Sequence, residues 1–254
     1  MPSTYDFLAM SLFYRKKYPK GTLYTRIMSR ELFTKFAGLI SAKNVRVAIM
    51  LSGGGSNAEE LLKKRDKYPS VDIVALITDQ TESNAKNLAE MHGVTYHCQP
   101  AGKLTPRARE VYFQTLALYL RKEKITCLIY AGFMKLVTHD FLTEFPGINS
   151  HPADLRVVDE HGNRKYIGAH GVQRALDDGA KSIRCTCHMI DDATDGGFII
   201  ALSHPIHVRK NEKNDPNALQ ARLKKVSEWL YLPDILAKLA GGKLELRQLP
   251  YLYP

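Results

Sequence analysis

The stretch that decides the fold is VRVAIML at residues 45–51, followed directly by SGGGSN at residues 52–57. The first seven residues form a continuous apolar run rich in β-branched side chains, which is typical of a strand buried on both faces. The glycines interrupt this run, and AEELLKKRDKY after them has apolar residues at helical spacing. The pattern therefore predicts a buried strand, a glycine loop and a helix in direct succession.

The alternation of strand and helix continues along the chain. Further strands are predicted at residues 71–78, 94–98, 125–130 and 147–152, and further helices at 84–92, 106–122, 170–178 and 218–239. Strands that alternate with helices in this way form a mostly parallel sheet with helices on both faces. Apolar runs at 182–190 and 198–208, separated by a turn-rich segment, predict a hairpin added to that sheet. The predicted fold class is α/β, with a Rossmann-like sheet and a C-terminal hairpin.

The composition is that of a globular protein. With 254 residues, of which 44% are hydrophobic, the chain can bury a substantial core, and this excludes intrinsic disorder. We expect neither a membrane span nor a secreted protein, because there is no apolar run of about 18–20 residues and no signal-peptide pattern. The four cysteines form no CxxC pair, so neither a disulfide framework nor a structural zinc site is predicted. We expect a cytoplasmic location.

The positive charge is concentrated at the N-terminus. Residues 1–44 contain eight Lys and Arg against two acidic residues, so this segment carries six of the ten net charges. We interpret residues 1–44 as a basic, partly helical extension and residues 45–254 as the main domain. The extension could be an arm that binds a partner or an anionic surface, a helix packed on the main domain, or an organelle transit peptide.

The glycine loop predicts an anion site. Unpaired backbone N–H groups and the positive end of the helix dipole meet where glycines allow a ligand to approach. The loop lacks the GK[ST] ending of a nucleoside triphosphate-binding loop. It does fit the relaxed dinucleotide pattern through Gly53, Gly55 and Ala58, and Asp79 after the next predicted strand is placed to meet a ribose hydroxyl. A nicotinamide-dependent oxidoreductase and a structural turn without ligand are therefore alternatives.

Polar residues downstream suggest chemistry on a carbonyl. Asn149 and His151 are two residues apart on a predicted strand, so their side chains point the same way. An amide beside a protonated imidazole can stabilise an oxyanion, and the carboxylate of Asp195 would favour that protonation. Taken singly, they could also be a turn asparagine, a core histidine and a turn aspartate. Cys185, Cys187 and His188 lie on one predicted strand, where alternate side chains diverge, so no metal site is predicted.

Five segments together resemble one known family. They are SGGGSN (52–57), AGFMK (131–135), INSHP (148–152), GAHGVQRAL (168–176) and DATDGGFII (192–200). Their order and spacing are similar to those of the glycinamide ribonucleotide formyltransferases, the folate-dependent enzymes of purine synthesis. The resemblance runs from about residue 45 to the C-terminal helix. A dehydrogenase would predict neither the N-x-H nor the DGG motif.

The resemblance implies three groups of site residues. The family's catalytic residues match Asn149, His151 and Asp195. Its residues that bind the substrate phosphate match Gly55, Ser56 and Asn57. Its folate-binding positions match Arg109, Met134, Lys135, Leu136 and Val137, of which the last four bind the pterin ring through their backbone.

The resemblance also implies the reaction. The cosubstrate would be 10-formyltetrahydrofolate, and the acceptor would be the primary amine of glycinamide ribonucleotide, with no metal required. Asn149 and protonated His151 would stabilise the oxyanion, and Asp195 would maintain that protonation and pass the amine's proton towards the folate nitrogen through water. The expected partners are small molecules, not membranes or nucleic acids, and the sequence gives no prediction of oligomeric state.

The chain departs from the family in three places. The family runs from N-x-HPSLLP through a short loop to a glycine-rich turn, whereas this chain reads NSHPADLRVVDEHGNRKYIGAHG from residue 149. A family glutamate that contacts the acceptor aligns with Ser227 without gaps, and Glu228 matches only after a shift of one residue. The basic extension is the third departure. The alternatives are therefore another amine acceptor, a formyltetrahydrofolate hydrolase, or a silent binding protein whose basic arm binds nucleic acid.

Overall fold

The computed structural model describes residues 30–40, 42–239, 244 and 251–253. The chain divides into two compact units. The first unit comprises Lys35–Asn149 and Leu232–Leu244, and the second consists mainly of Ser150–Tyr231. Among the described residues, no helix is both long and apolar enough to cross a membrane.

The first unit contains a parallel sheet. Its elements, in chain order, are α1 (Arg30–Ile40, of which the first unit holds the part from Lys35), β1 (Val45–Leu51), α2 (Ser56–Lys63), β2 (Val71–Thr78), α3 (Ala85–His92), β3 (Thr95–Cys98), α4 (Pro106–Lys122), β4 (Cys127–Tyr130), α5 (His139–Glu144) and the beginning of β5 (Gly147–His151). The strand order is β5-β4-β1-β2-β3, and each neighbouring pair is parallel. The carboxyl ends of these strands, and the loops that follow them, therefore lie at one edge of the sheet.

The core of the first unit explains why its strands read as apolar runs. Every residue of β1 except Arg46 is buried, and so are Leu61 and Leu62 on α2. Leu116 and Leu120 on α4 are fully buried as well. Burial of a leucine side chain contributes about 1.5–3 kcal/mol relative to exposure, so these runs stabilise a sheet with both faces covered.

The second unit contains the strand pairs of the C-terminal part. Its elements, in chain order, are α6 (Gly171–Asp177), β6 (Ser182–Ile183), β7 (Thr186–Met189), β8 (Ile199–Ser203), β9 (Ile206–His207), α7 (Pro216–Leu223), a π-helical turn (Lys224–Glu228), the beginning of α8 (Trp229–Leu239) and β10 (Tyr251–Tyr253). Strands β7 and β8 are antiparallel, β8 and β10 are parallel, and β6 and β9 are antiparallel. A register shift in the β7–β8 pair falls between Cys187 and His188.

The polar segment after β5 is an ordered loop, and we call residues 153–167 the long loop. An antiparallel bridge joins Val158 to Arg164, and the Asp159 carboxylate accepts hydrogen bonds from the backbone of His161 and Asn163 within the turn between them. Leu155 is buried in a cluster with Ile199 and Leu202 of β8, against which Val158 and Ile167 also pack. Apolar anchors at both ends therefore attach the long loop to the second unit.

The predicted fold class is confirmed, with corrections to individual elements. The predicted strand at 182–190 is interrupted at residues 184–185, and the one at 198–208 is interrupted at residues 204–205, so each forms two short strands. Helix α5 was absent from the sequence prediction, and the predicted final helix is divided by the π-helical turn. Residues 1–29 of the predicted extension lie outside the described residues, and the division at residue 44 stays a prediction.

Candidate functional site

A single carboxylate in the second unit lies between two histidine rings. Asp195, in the turn between β7 and β8, has one oxygen 3.3 Å from Nδ1 of His151 and the other 3.3 Å from Nε2 of His188. The backbone N–H of Gly168 donates to the same carboxylate at 2.6 Å. The two rings are only 4% and 1% exposed. The structure thus brings together two of the three residues expected to be catalytic and adds His188 to them.

The other nitrogen of each ring also faces an acceptor. Nε2 of His151 lies 2.5 Å from the carbonyl oxygen of Tyr166, and Nδ1 of His188 lies 2.7 Å from the carbonyl oxygen of Met189. A neutral imidazole donates from one nitrogen only, whereas an imidazolium donates from both. Each ring can therefore satisfy its two acceptors fully only when it is protonated.

Burial and charge oppose each other at this cluster. Burial lowers the pKa of His151 below its ordinary value, although the Asp195 carboxylate acts to raise it. Burial by itself would raise the pKa of Asp195, but the hydrogen bond from His188 and the charge of His151 together hold it below its ordinary value. Asp195 is therefore ionised at neutral pH, and the protonation of His151 depends on the carboxylate beside it.

The backbone of the Asp195 turn is constrained. Asp195 has φ of +49°, in the left-handed region that non-glycine residues rarely adopt. The Arg164 guanidinium donates through Nη1 to the carbonyl of Asp195 and through Nη2 to that of Gly197, the latter at 3.0 Å. A Cβ on Gly197 would lie 1.8 Å from the carbonyl oxygen of Met189, so only glycine fits there. Arg164 has no sequence signal of its own, because nothing in the local pattern distinguishes it from the other basic residues of the long loop.

Asn149 and Ser150 occupy opposite faces of β5. Asn149 pairs in register with Tyr130 of β4 and is half-buried. Because successive strand residues alternate, its side chain emerges on the same face of β5 as that of His151. Ser150, on the other face, donates to the Glu228 carboxylate at 2.7 Å.

Glu228 is the glutamate that matches the family's pattern only after a shift of one residue. It is 2% exposed and ends the π-helical turn Lys224–Glu228. A π-turn adds one residue to a helix, which accounts for the shift by one from Ser227. The structure thus places Glu228 in contact with Ser150 of β5.

The glycine loop lies at the carboxyl edge of the first unit's sheet. Gly55 has φ of +70°, and a Cβ there would lie 2.7 Å from Leu51 and Leu88, so the position requires glycine. Ser56 and Asn57 follow it as the first residues of α2. The backbone N–H groups of a first helical turn have no partner within the helix and point towards an approaching anion. The expected phosphate-binding residues therefore have the geometry of an anion site.

Hydrogen bonds connect this loop to its neighbours within the first unit. The carbonyl of Gly53 accepts from the backbone N–H of Asn84 at 3.2 Å. The hydroxyl of Ser52 accepts from the backbone N–H of Met134 at 3.2 Å, which joins the glycine loop to the segment expected to bind folate. Arg109 lies on the N-terminal part of α4 and is half-buried.

The segment that follows β4 alternates between exposed and inward side chains. Met134 and Leu136 are 68% and 43% exposed, whereas Val137 is buried. The ammonium of Lys135 lies 3.2 Å from the Asp79 carboxylate and donates to the carbonyl of Gly102 at 2.9 Å. This arrangement fixes the segment through Lys135 and leaves apolar side chains on its open surface.

Asp79 does not have the surroundings that a dinucleotide site needs. Its side chain is buried, with one oxygen near Lys135 and accepting from the Gln80 amide at 3.0 Å. A ribose hydroxyl requires an accessible carboxylate. Asp79 therefore does not support the alternative of a nicotinamide-dependent oxidoreductase, which needed this carboxylate to bind a ribose hydroxyl. Among the described residues, no group of three or more His, Cys, Asp or Glu could hold a metal ion.

Comparisons with known proteins identify the family of the chain. The family model described as formyl transferase matches residues 45–235. The Drosophila melanogaster trifunctional purine biosynthetic protein adenosine-3 is 30% identical over 80% of the chain, which spans 14% of that protein's length. The chloroplastic phosphoribosylglycinamide formyltransferase of Arabidopsis thaliana is 25% identical over 80% of the chain and 68% of its own length.

Solved structures extend the comparison to the fold. Phosphoribosylglycinamide formyltransferase from Brucella melitensis superposes with a TM-score of 0.66 at 30% identity, over 79% of this chain and 97% of that one. The enzyme of that name from Coxiella burnetii shares the fold at 20% identity, with a TM-score of 0.68 over 83% of this chain and all of its own. With the family model matching most of its length, the chain belongs to the formyl transferase family.

Proposed function

We propose that this protein is a folate-dependent formyltransferase that transfers a formyl group from 10-formyltetrahydrofolate to the primary amine of glycinamide ribonucleotide, a step of de novo purine synthesis. The observation that carries the proposal is the Asp195 carboxylate held against His151 at the end of β5, two residues after Asn149. The family match and the names of the relatives give the reaction class.

The glycine loop would hold the acceptor by its phosphate. The positive φ of Gly55 directs the chain into α2, so Ser56 and Asn57 lie in the first turn of that helix, where backbone N–H groups favour phosphate oxygens. This contact needs no basic side chain, because the helix terminus supplies the positive potential. The ribose and amine would then extend away from the loop.

The residues of β5 would stabilise the charge that develops during attack. As the amine attacks the formyl carbon, the formyl oxygen becomes an oxyanion that accepts hydrogen bonds from the Asn149 amide and the His151 imidazolium. Both ring nitrogens of His151 already face acceptors, so Nε2 must leave the Tyr166 carbonyl to reach the oxyanion. Asp195 would favour the charged ring against the burial that lowers its pKa, and would pass the amine's proton, through water, towards the departing folate nitrogen.

The segment after β4 would bind the folate. The exposed apolar side chains of Met134 and Leu136 offer a surface that a flat pterin ring can cover, while the backbone of this segment supplies hydrogen-bonding groups. Lys135 and Val137 hold the segment from the inner side. Arg109 on α4 would help to position the bound formyl donor. These features fit the cosubstrate, and the proposed chemistry uses no metal.

A different amine acceptor is the second candidate. The long loop replaces the family's short connection, and its Tyr166 carbonyl lies directly on the ring of His151. We also propose a reducing cytoplasm as the location, in keeping with the free state of all four cysteines and the complete burial of Cys127, Cys185 and Cys187. The substrates proposed here are small molecules.

The direct test is formyl transfer from 10-formyltetrahydrofolate to glycinamide ribonucleotide, with a reaction lacking acceptor alongside. Asp195→Asn should lower kcat by about 100- to 10,000-fold, because the neutral amide no longer favours the imidazolium. Asp192→Asn, an exposed carboxylate in the same turn, is the matched control. Consumption of the folate without acceptor would indicate a hydrolase, turnover only with other amines would identify the second candidate, and no folate binding would reject the proposal.

A further inference from the structure

Arg164 is the buried basic residue through which the long loop contacts the turn that carries Asp195. It is 6% exposed, and its guanidinium donates to the backbone carbonyls of Asp195 and Gly197 from two different nitrogens. These carbonyls are 31 and 33 residues away in sequence. The segment that supplies Arg164 is also one of the three places where the chain departs from the family's sequence pattern.

We propose that Arg164 is a positioning residue for the reaction, because its guanidinium fixes the backbone turn at residues 195–197 and thereby holds the Asp195 carboxylate between His151 and His188. The inference rests on the proposed formyl transfer for its effect on rate. Its structural part, the orientation of Asp195, concerns the two histidines alone and can be tested without substrate.

The backbone conformation gives the first argument. A non-glycine residue in the left-handed region persists only when its surroundings hold it there. At Asp195, contacts at both the side chain and the backbone do so: the carboxylate lies against the two histidines and accepts from the Gly168 backbone N–H, and the carbonyl accepts from Arg164. Loss of the Arg164 contact would release the backbone of Asp195 but leave the hydrogen bond from Gly168 in place. The carboxylate could then rotate about that hydrogen bond and move away from one of the imidazoles.

The shape of the guanidinium gives the second argument. Its planar fork presents parallel N–H groups on two nitrogens, which suits two carbonyl oxygens on either side of Gly196. A lysine has one charged nitrogen on a flexible stem and cannot occupy both positions of the fork. Arg164→Lys therefore keeps the positive charge and removes the two-point contact.

The position of Arg164 in the long loop gives the third argument. The bridge to Val158 fixes the backbone of Arg164, and Val158 packs on the cluster formed by Leu155, Ile199 and Leu202. The guanidinium therefore projects from an anchored element. An arginine on an unattached loop could not hold a turn in a strained conformation.

The pKa of His151 distinguishes the two ways in which Arg164 could act, through its charge or through the position of Asp195. The groups that face His151 are Asp195, His188 and Arg164, while the nearby buried Asp191 faces His188 and Arg164. The positive charge of Arg164 lowers the pKa of His151, and the negative charge of Asp195 raises it. Removal of the charge of Arg164 alone would thus raise the pKa of His151, whereas displacement of Asp195 would lower it.

The experiment compares wild type with Arg164→Lys, Arg164→Gln and Arg156→Lys. Arg156 lies in the same loop, pairs with Asp154 at the surface and serves as the matched control. The ring resonances of His151 and His188 are followed by NMR as a function of pH, and kcat and KM are measured for formyl transfer. Thermal melting of each variant shows that it is folded.

The proposal expects Arg164→Lys to move the titration of His151 to lower pH and to reduce kcat about 10- to 100-fold with little change in KM, since small misplacements of reacting groups cost rates of this order. Arg156→Lys should match wild type. If the pKa of His151 in Arg164→Lys is unchanged or raised, the proposal is overturned, even if the melting temperature falls. If Arg164→Lys does not fold, Arg164→Gln decides between the two explanations. A raised pKa of His151 in Arg164→Gln would mean that only the charge of Arg164 matters, and a lowered pKa would support positioning. Absence of formyl transfer in wild type would reject the proposed function and leave the NMR result as an independent test.

Discussion

Replacement of Gly171 by alanine should disturb the contact between His151 and the long loop. Gly171 begins α6, and a Cβ there would lie 2.5 Å from the carbonyl oxygen of Tyr166 and 2.8 Å from Nε2 of His151. These are the two atoms of the hydrogen bond that holds the ring. The new methyl group would therefore collide with both of its partners at once.

The size of the effect follows from these distances. Nonbonded heavy atoms are most favourable at about 3.5–4.0 Å, so the carbonyl would have to retreat by about 1 Å and the ring nitrogen by about 0.7 Å. Overpacking of this kind costs about 1–3 kcal/mol, which corresponds to a fall in melting temperature of about 2–12 °C for a chain of this size. A displacement of about 1 Å at a catalytic group lowers kcat by about 100-fold.

The assay is calorimetric melting together with formyl-transfer kinetics for Gly171→Ala. Gly38→Ala is the matched control, since a Cβ at Gly38, in α1, would meet no atom within 4 Å and alanine favours a helix. We expect the control to melt at or slightly above the wild-type temperature with unchanged kcat. A Gly171→Ala variant with wild-type stability and wild-type kcat would refute the assignment of the His151 ring to its contact with Tyr166.

Three further predictions concern the loop, the strand and acid stability. Asn149→Ala should lower kcat by about 100- to 1000-fold without loss of folding, as measured by steady-state kinetics and circular dichroism, because one oxyanion donor is removed. Gly55→Ala should raise KM for the phosphorylated acceptor and lower the melting temperature, since the left-handed backbone and two leucine side chains 2.7 Å away oppose a Cβ; an unchanged KM would contradict the loop's phosphate role. The hydrogen bond from Arg222 lowers the pKa of Glu212 to about 2, so this pair stabilises the fold fully above about pH 4.5 and progressively less as pH falls towards 2. Glu212→Gln should therefore lose stability at pH 7 and depend less on pH in that acid range, as seen in melts at pH 3 and pH 7.

The sequence predicts those features that depend on local order along the chain. The apolar run of β1, the glycine loop and α2 follow from periodicity and turn chemistry, and the structure has them at residues 45–51 and 56–63. The interruption at Arg184 and Cys185, which divides one predicted strand into β6 and β7, does not follow in this way. Each part pairs with a different partner strand, and such pairing depends on contacts that periodicity does not contain.

The site was predictable to the extent that the chain preserves motifs. Asn149, His151 and Asp195 were found through spacing and resemblance, and His151 and Asp195 are in contact. Glu228 matches the family's glutamate only after a one-residue shift, and the π-turn accounts for that shift because it adds a residue that helical periodicity does not include. Arg164 was missed because its two acceptors are backbone carbonyls more than 30 residues away, and backbone acceptors have no sequence signature.

The contacts of the long loop extend beyond the choice of acceptor. Its sequence, which departs from the family's pattern, predicts only an effect on which amine is accepted. Its contacts also reach the two residues proposed to handle protons: the Tyr166 carbonyl faces His151, and Arg164 donates to the backbone carbonyl of Asp195. In the proposed reaction Nε2 of His151 exchanges the Tyr166 carbonyl for the oxyanion, so a shift of the loop on substrate binding would couple acceptor recognition to the availability of the imidazolium.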